Sequence, residues 1–423
     1  MSKSQSPLNQ DLFNLFFERY SEAMEKMPPV QILVAGKTGV GKSTLVNQVF
    51  REPLAETGAG LPVTKRLQKW EVEGLPLVLY DSRGIELDEK IRTQVKAELM
   101  DLIRSKKQGD RKEDRIHLVW YCINDLSSRI ESYEIDLIRE LSEELPVVLV
   151  LTQSIQEPPE LKQQLETMDL PVRGTVPVLA KDFPLRGEEV IKSYGLNTLV
   201  DLSLDLLPEA VQGAFINAQR VDLSRKVKRA EKAVRGFVST AFATGFTPIP
   251  FSDAAVLVPM QIGMIAQLSS IFGISLQQGV MRSLVTALGG AGGATYLGRS
   301  IVAGVFKFFP GIGTVAGGMI TGSTAGMLTY ALGRAYIRLM VWMTERENEE
   351  NPVEAKEISK KLRSFWKDEW KKVKGLTGKV FGRKRKKKHP ELPPPELFTH
   401  VPDDGSIPPI HEEGDEEHDA SRH

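Results

Sequence analysis

The chain has 423 residues, 41% of them hydrophobic, no formal net charge at pH 7 and a single cysteine, Cys122. That length suits two or three domains. One cysteine excludes an intrachain disulfide framework and a cysteine-only metal cluster, and it suits a reducing cytosol; the histidines show no zinc-type spacing. Charge is uneven, with basic residues gathered between Lys356 and Lys388 and acidic ones after Asp403.

Residues 8–27 space Leu12, Leu15, Phe16, Tyr20 and Met24 at helical intervals, which predicts an amphipathic helix. Its simplest role is packing on the domain that follows, with membrane contact as the alternative. The apolar stretch 12–17 is too short for the core of a secretory signal. From 30 to about 206, apolar runs (30–35, 75–80, 116–123, 147–151 and 175–180) alternate with helical stretches (42–50, 88–104, 131–144, 160–168 and 196–206). This rhythm predicts an α/β domain with a mostly parallel sheet covered on both faces. Residues 67–73 are expected to add an antiparallel edge strand. Cys122 falls in the run 116–123, as a core residue.

Residues 217–235 are expected to form a charged connector helix. From 236 to about 343 the composition turns apolar and glycine-rich. Segments 254–281 and 308–332 carry no charged residue, and each exceeds the roughly 20 residues that span a bilayer. Glycine and threonine recur four apart at Gly313, Gly317 and Thr321, and at Gly318, Gly322 and Gly326, a spacing that lets helices approach closely. A compact helical domain and a membrane-inserted hairpin both fit. Residues 354–374 are expected to form a basic amphipathic helix with Leu362, Phe365, Trp366, Trp370 and Val373 near one face. It leads into six consecutive basic residues at 383–388, a pairing that suits an anionic membrane surface; a solvated tail without a fixed partner and a nonspecific contact with nucleic acid are the alternatives. No aromatic-interleaved motif points to sequence-specific nucleic acid. The tail from Pro390 is proline-rich, then acidic, and expected to be disordered. The expected units are 1–28, 29–206, 207–235, 236–345, 346–389 and 390–423.

The chemistry lies at Gly36-Lys37-Thr38-Gly39-Val40-Gly41-Lys42-Ser43, the pattern GxxxxGK[ST] between a strand and a helix, the setting this motif needs. Glycines let successive backbone N–H groups converge on phosphate oxygens, and the helix N-terminus, with Thr44 in its first turn, adds partial positive charge. Lys42 is expected to reach the β- and γ-phosphates and Ser43 to ligate Mg²⁺. Asp81, in Asp81-Ser82-Arg83-Gly84, ends a strand, where an aspartate holds Mg²⁺ and the Gly84 N–H senses the γ-phosphate. Thr64, on the loop between that helix and the Asp81 strand, can offer its hydroxyl to Mg²⁺ and its N–H to the γ-phosphate; Thr57 is a weaker competitor. Lys42, Thr64 and Gly84 are the catalytic candidates, and Ser43, Thr64 and Asp81 the metal ligands.

With these motifs the chain resembles the translation-factor-related GTPases of the Era/Der type over 30–206. More narrowly, it is similar to bacterial GTPases that add a YcjF-type helical domain of unknown function; this second likeness rests on residues 248–253, 309–313 and 329–336. The resemblance implies a P-loop G domain followed by an all-α domain. It also implies GTP and GDP as ligands, Mg²⁺ as cofactor, and a cytoplasmic protein associated with a membrane, peripherally or integrally. Where family members place Asn/Thr-Lys-x-Asp to read guanine, this chain has Thr152-Gln153-Ser154-Ile155. Gln153 replaces the base-stacking lysine and Ile155 the aspartate, so guanine is implied by the resemblance and not by this motif. Ala180 and Lys181 stand where the family places backbone donors near the base. Ile85 occupies the position of the water-orienting glutamine of Ras-like switches. Slow GTP hydrolysis is therefore expected, stimulated by a homodimer, an activating protein or K⁺. Arg83 reads either as an internal arginine finger or as a surface arginine. The leading expectation is a nucleotide-dependent switch coupled to the helical domain. The alternative is a membrane-bound scaffold that holds nucleotide without useful turnover.

Overall fold

The alternating apolar runs pair into a seven-stranded sheet of spatial order β2-β3-β4-β1-β5-β6-β7. Its strands are β1 (Val30–Ala35), β2 (Leu61–Pro62), β3 (Leu67–Glu71), β4 (Leu77–Ser82), β5 (Leu118–Asn124), β6 (Val147–Thr152) and β7 (Gly174–Val178). The computed structural model describes residues 7–50, 61–62, 67–71, 75–82, 89–109, 114–127, 129–155, 160–185, 189–244, 253–273, 322–348 and 355–382. β4, β1, β5, β6 and β7 run parallel, and β3 runs antiparallel to β4. β3 is not the edge, because the two-residue β2 pairs along its outer side.

Alternation along β1 sorts its side chains into two cores. Val30, Ile32 and Val34 face one side, against α2 (Lys42–Val49), α6 (Leu196–Leu206) and α7 (Glu209–Ala218). Leu33 and Ala35 face the other, against α3 (Glu89–Gln108), α4 (Ser132–Glu144) and α5 (Glu160–Thr167). Strands buried on both faces must be apolar throughout, which is why these segments read as unbroken runs. A small hairpin of β8 (Phe183–Pro184) and β9 (Val190–Ile191) sits between β7 and α6.

The second core is helical. It gathers α8 (Leu223–Thr244), α9 (Asp253–Phe272), α10 (Gly322–Asn348) and α11 (Ala355–Gly382) around Val234, Ile262, Leu268, Leu339, Met340, Leu362 and Phe365. Glycines set the α8–α10 approach: a Cβ on Gly333 would lie 2.6 Å from Val234, and one on Gly326 2.3 Å from Phe242. Buried polar groups pair across the bundle, Gln261 donating to the Thr329 hydroxyl at 3.3 Å and the Ser269 and Tyr336 hydroxyls meeting at 2.7 Å. Among the described residues no helix is long and apolar enough to cross a membrane. Gly313, Gly317, Gly318 and Thr321 lie outside the described residues, as do residues 274–281 and 308–321 of the two uncharged segments.

Three expectations change. The described apolar side chains of the first helix, α1 (Pro7–Glu25), pack on the helical core and not on the α/β domain that follows it; Phe16 and Tyr20 enter that core, against α9. Both faces of the sheet are already covered, and the open apolar face is that of the bundle. The connector is two helices instead of one. α7 ends at Ala218 with its apolar side on the sheet. The chain then turns through residues 219–222, where Asp222 accepts from the Arg225 N–H at 3.1 Å, and α8 runs on to Thr244. Finally, the apolar face of the basic helix α11 is used internally, since Ile358, Leu362 and Phe365 belong to the helical core.

Candidate phosphate-binding site

β1 ends between β4 and β5, and successive crossovers leave it on opposite sides, so the loop after Ala35 opens into the crevice at the sheet's switch point. Gly36 (φ 136°) passes so close to β5 that a Cβ would lie 2.3 Å from the Cys122 carbonyl oxygen. Gly39 (φ 78°) and Gly41 (φ 99°) take left-handed backbone, the conformation that turns N–H groups inward. Gly41 is the N-cap of α2 and brings no side chain to its first turn, so the donors there remain open to an anion.

Lys42 is buried, and its Nζ donates to the carbonyls of Gly36 and Lys37, each at 2.8 Å. The ammonium thus sits inside the arc of the loop. Lys42, Ser43 and Asp81 line one cleft whose apolar wall is Val34, Val46, Trp70 and Leu79. The indole N–H of Trp70 is buried there with no hydrogen-bond partner among the described residues. A hydroxyl and a carboxylate in one cleft are the hard oxygen donors that Mg²⁺ takes; it usually asks one or two carboxylates of a protein and completes its shell with water and phosphate. The residues present fit both a polyphosphate and this metal. Beneath the loop, Cys122 is fully buried, and burial pushes its thiol up to about 12.

Lys37 behaves differently from Lys42. Its side chain turns to the start of α4, pairing with Glu131 at 2.7 Å and Glu134 at 3.0 Å. Burial alone would lower its pKa, but the two carboxylates outweigh that and raise it. Only its backbone faces the crevice.

The end of β6 closes the loop from above. Thr152 donates its hydroxyl to the Val40 carbonyl and lies 3.1 Å from that of Ile123. Gln153 has positive φ (55°), uncommon for a residue with a side chain, and its amide nitrogen lies 3.5 Å from the Gly39 carbonyl. Behind it runs a polar chain in which Tyr194 donates to the Ser154 hydroxyl at 3.0 Å and Ser154 donates to Asp125 at 2.7 Å.

Residues 31–153 match the family model described as 50S ribosome-binding GTPase, and residues 212–367 match that of a domain of unknown function, DUF697. The chain joins an Era/Der-like GTPase domain to a YcjF-type helical domain. Among relatives, it is 28% identical over 156 residues to magnetosome membrane protein 22 of Magnetospirillum gryphiswaldense, a match covering 37% of this chain and 75% of that protein. It is 32% identical over 91 residues to GTPase Der of Bartonella henselae, covering 21% of this chain and 19% of Der. It is 32% identical over 102 residues to a probable GTP-binding protein EngB of Methanococcus aeolicus, covering 23% and 44%. A solved structure of a probable GTP-binding protein engB aligns at TM-score 0.31 and 16% identity, over 42% of this chain and 98% of that one.

In this GTPase domain the fold brings Gly36, Lys37, Thr38, Gly39, Val40, Gly41, Lys42, Ser43, Thr44, Asp81, Thr152 and Gln153 to one end of the sheet. Ala180 is half-buried just beyond β7 and Lys181 beside it is exposed; the adjacent Asp182 is paired with Lys192 at 2.8 Å. Thr57, Thr64, Arg83, Gly84 and Ile85 lie outside the described residues.

Two features went unread in the sequence. Arg220, just past α7, donates to the Gln48 carbonyl and to the Gln48 side chain near the end of α2. Lys226 on α8 is buried and donates to the carbonyls of Asn217 at 2.7 Å and Ile271 at 3.0 Å, closing the C-terminal ends of α7 and α9 together. Neither residue belongs to a motif, and each acquires meaning only from a partner far away in the chain.

Proposed function

We propose that this GTPase binds GTP and GDP with Mg²⁺, hydrolyses GTP slowly, and passes its nucleotide state to the helical domain at the cytoplasmic face of a membrane. The observation that carries the reading is the Lys42 ammonium held inside a three-glycine loop at the mouth of an uncapped helix. On nucleotide binding, Lys42 exchanges its two carbonyl partners for β- and γ-phosphate oxygens, and the loop N–H groups take the remaining oxygens. Ser43, Thr64 and Asp81 hold Mg²⁺, which neutralises charge on the phosphates. Thr64 and Gly84 follow the γ-phosphate and shift on its loss. Thr152, Gln153, Ala180 and Lys181 line the base.

Turnover is slow because Ile85 cannot orient water. A second copy, an activating protein or K⁺ supplies what Ile85 does not. The Arg220–Gln48 contact supports coupling, since it fastens the far end of the phosphate-loop helix to the start of α8. The relative named as a magnetosome membrane protein supports membrane association.

Purified protein is expected to bind GTP and GDP, to lose both on Lys42→Ala, and to hydrolyse GTP slowly in a single-turnover assay. GTP binding that survives Lys42→Ala overturns the site. Rapid hydrolysis without an activator overturns the slow switch.

A further inference from the structure

The outward face of α11 is a ladder of cations. Lys360, Arg363, Lys367, Lys371 and Lys374 are all exposed. At 3.6 residues per turn they fall within an arc of about 80° and extend over about 21 Å of helix. Lys360, Arg363, Lys367 and Lys371 make no ion pair among the described residues. The basic residues beside the ladder do: Arg338 meets Asp368 and Glu369 at 3.4 and 3.2 Å, and Lys372 meets Glu369 at 2.8 Å. The bundle therefore matches the carboxylates of α11 to cations off the ladder and leaves the ladder's own charge outward.

Along one flank stand Trp366 and Trp370, half-buried and stacked with ring centroids 6.0 Å apart and planes 5° apart. Lys374 lies over the Trp370 ring at 5.3 Å. Indole rings with one edge in a core and the other in solvent suit the headgroup level of a bilayer.

We infer that this stripe, with the indole pair on its flank, is where the helical domain docks on an anionic bilayer, held by charge at the headgroup level and without insertion of α11. The inference rests on the membrane-association reading above and gives it a face and a mode. Insertion of the helix is blocked because its apolar side, Ile358, Leu362, Phe365 and Val373, is buried in the protein. A straight row of point charges, mostly lysine, matches a flat and diffuse field of headgroups. Nucleic-acid phosphates are read more often by the planar fork of arginine. The sequence extends the row beyond α11 with six further basic residues, 383–388.

The test is flotation of the full chain with phosphatidylcholine vesicles, with and without phosphatidylglycerol. One variant removes the four unpaired charges together (Lys360→Gln, Arg363→Gln, Lys367→Gln, Lys371→Gln), and a second neutralises 383–388. The native chain is expected to float with anionic vesicles only and to detach in high salt. Each basic residue near such a surface strengthens binding about fivefold, so the four-site variant should bind at least about a hundredfold more weakly. The second variant should retain salt-sensitive binding that the four-site change then removes. Unaltered binding by the four-site variant overturns the inference. So does equal flotation with neutral vesicles, or a stripe that captures duplex RNA while ignoring vesicles. GTP binding measured on the same preparations separates the two readings. Its loss in the native chain refutes the GTPase function; its persistence with no flotation of the native chain refutes membrane association, whereas native flotation that the four-site variant keeps refutes only the docking face.

Discussion

Arg220 grips Gln48 through two parallel bonds, its Nε to the Gln48 carbonyl and a terminal nitrogen to Oε1, both 3.0 Å, while its backbone N–H donates to Val49 at 2.8 Å. Gln48 lies in the last turn of α2, whose first residue is Lys42. A helix of this length is a rigid rod of about 12 Å. On the proposed coupling, a tilt of α2 at Lys42 is carried by this rod to the 219–222 turn.

Arg220→Ala should leave GTP affinity within about threefold, because no ligand contact is removed, and should lower stability by about 1–2 kcal/mol for the lost hydrogen bonds. What it should abolish is any nucleotide-dependent change in amide hydrogen exchange along α8. Arg220→Lys should not restore that change, since an ammonium cannot reproduce the fork. An α8 exchange pattern that still follows nucleotide in Arg220→Ala refutes this route.

Gly36 and Gly39 both have positive φ but differ in surroundings. At Gly36 a methyl group would strike the Cys122 carbonyl, and at Gly39 nothing lies within 4 Å. Gly39→Ala should cost about 1 kcal/mol for the left-handed backbone alone. Gly36→Ala must displace the loop from β5, so it should cost about 3 kcal/mol or more and abolish nucleotide binding. Chemical denaturation of the two variants, with and without GTP, checks the order.

Lys226 is buried between the two domains with its charge on two helix ends. Lys226→Met keeps the stem's packing but strands the carbonyls of Asn217 and Ile271. The expected loss is about 2–4 kcal/mol, seen as earlier unfolding of the helical domain, with GTP binding intact below that transition. A melting curve unchanged from the native protein refutes the role.

Cys122 gives a chemical probe of the loop's foundation. Its thiol is fully buried and held protonated by that burial, with a pKa near 12. At pH 8 the thiolate is scarce and the sulfur covered, so a disulfide reagent should label the native protein only through unfolding. The rate should fall when GTP and Mg²⁺ stabilise the native state. Prompt labelling of native protein at pH 8 contradicts the packing of β5 beneath the loop.

Much of the α/β half was legible in the sequence because its strands are buried on both faces and announce themselves as apolar runs. β1 and α6 fall where periodicity places them. β2, β8 and β9 were not legible, because two-residue strands carry no period. The phosphate loop was readable because its chemistry is local: three glycines, a lysine and a hydroxyl act within a few residues. The contacts of Arg220 with Gln48, and of Ser154 with Asp125, join residues far apart in sequence, and no window along the chain contains both partners. Lys37 shows the limit within the motif itself. Its pattern marks it as part of the cradle, but its side chain is drawn to Glu131 and Glu134. The amphipathicity of α1 and α11 was visible, but a periodic pattern shows that a face is buried and not against what.

The helical core is closed by α1, which is made before the GTPase domain, and by α9, which follows the whole of it. At ribosomal elongation rates that gap lasts on the order of ten seconds or more. During translation, α1 emerges with Phe16 and Tyr20 uncovered, and the α/β domain that folds next offers them no seat. The nascent chain must therefore carry an exposed apolar helix past a finished domain until α9 arrives. Chaperone dependence during synthesis should centre on that interval, and fusions at the amino end of the chain should disturb the helical domain sooner than the GTPase domain.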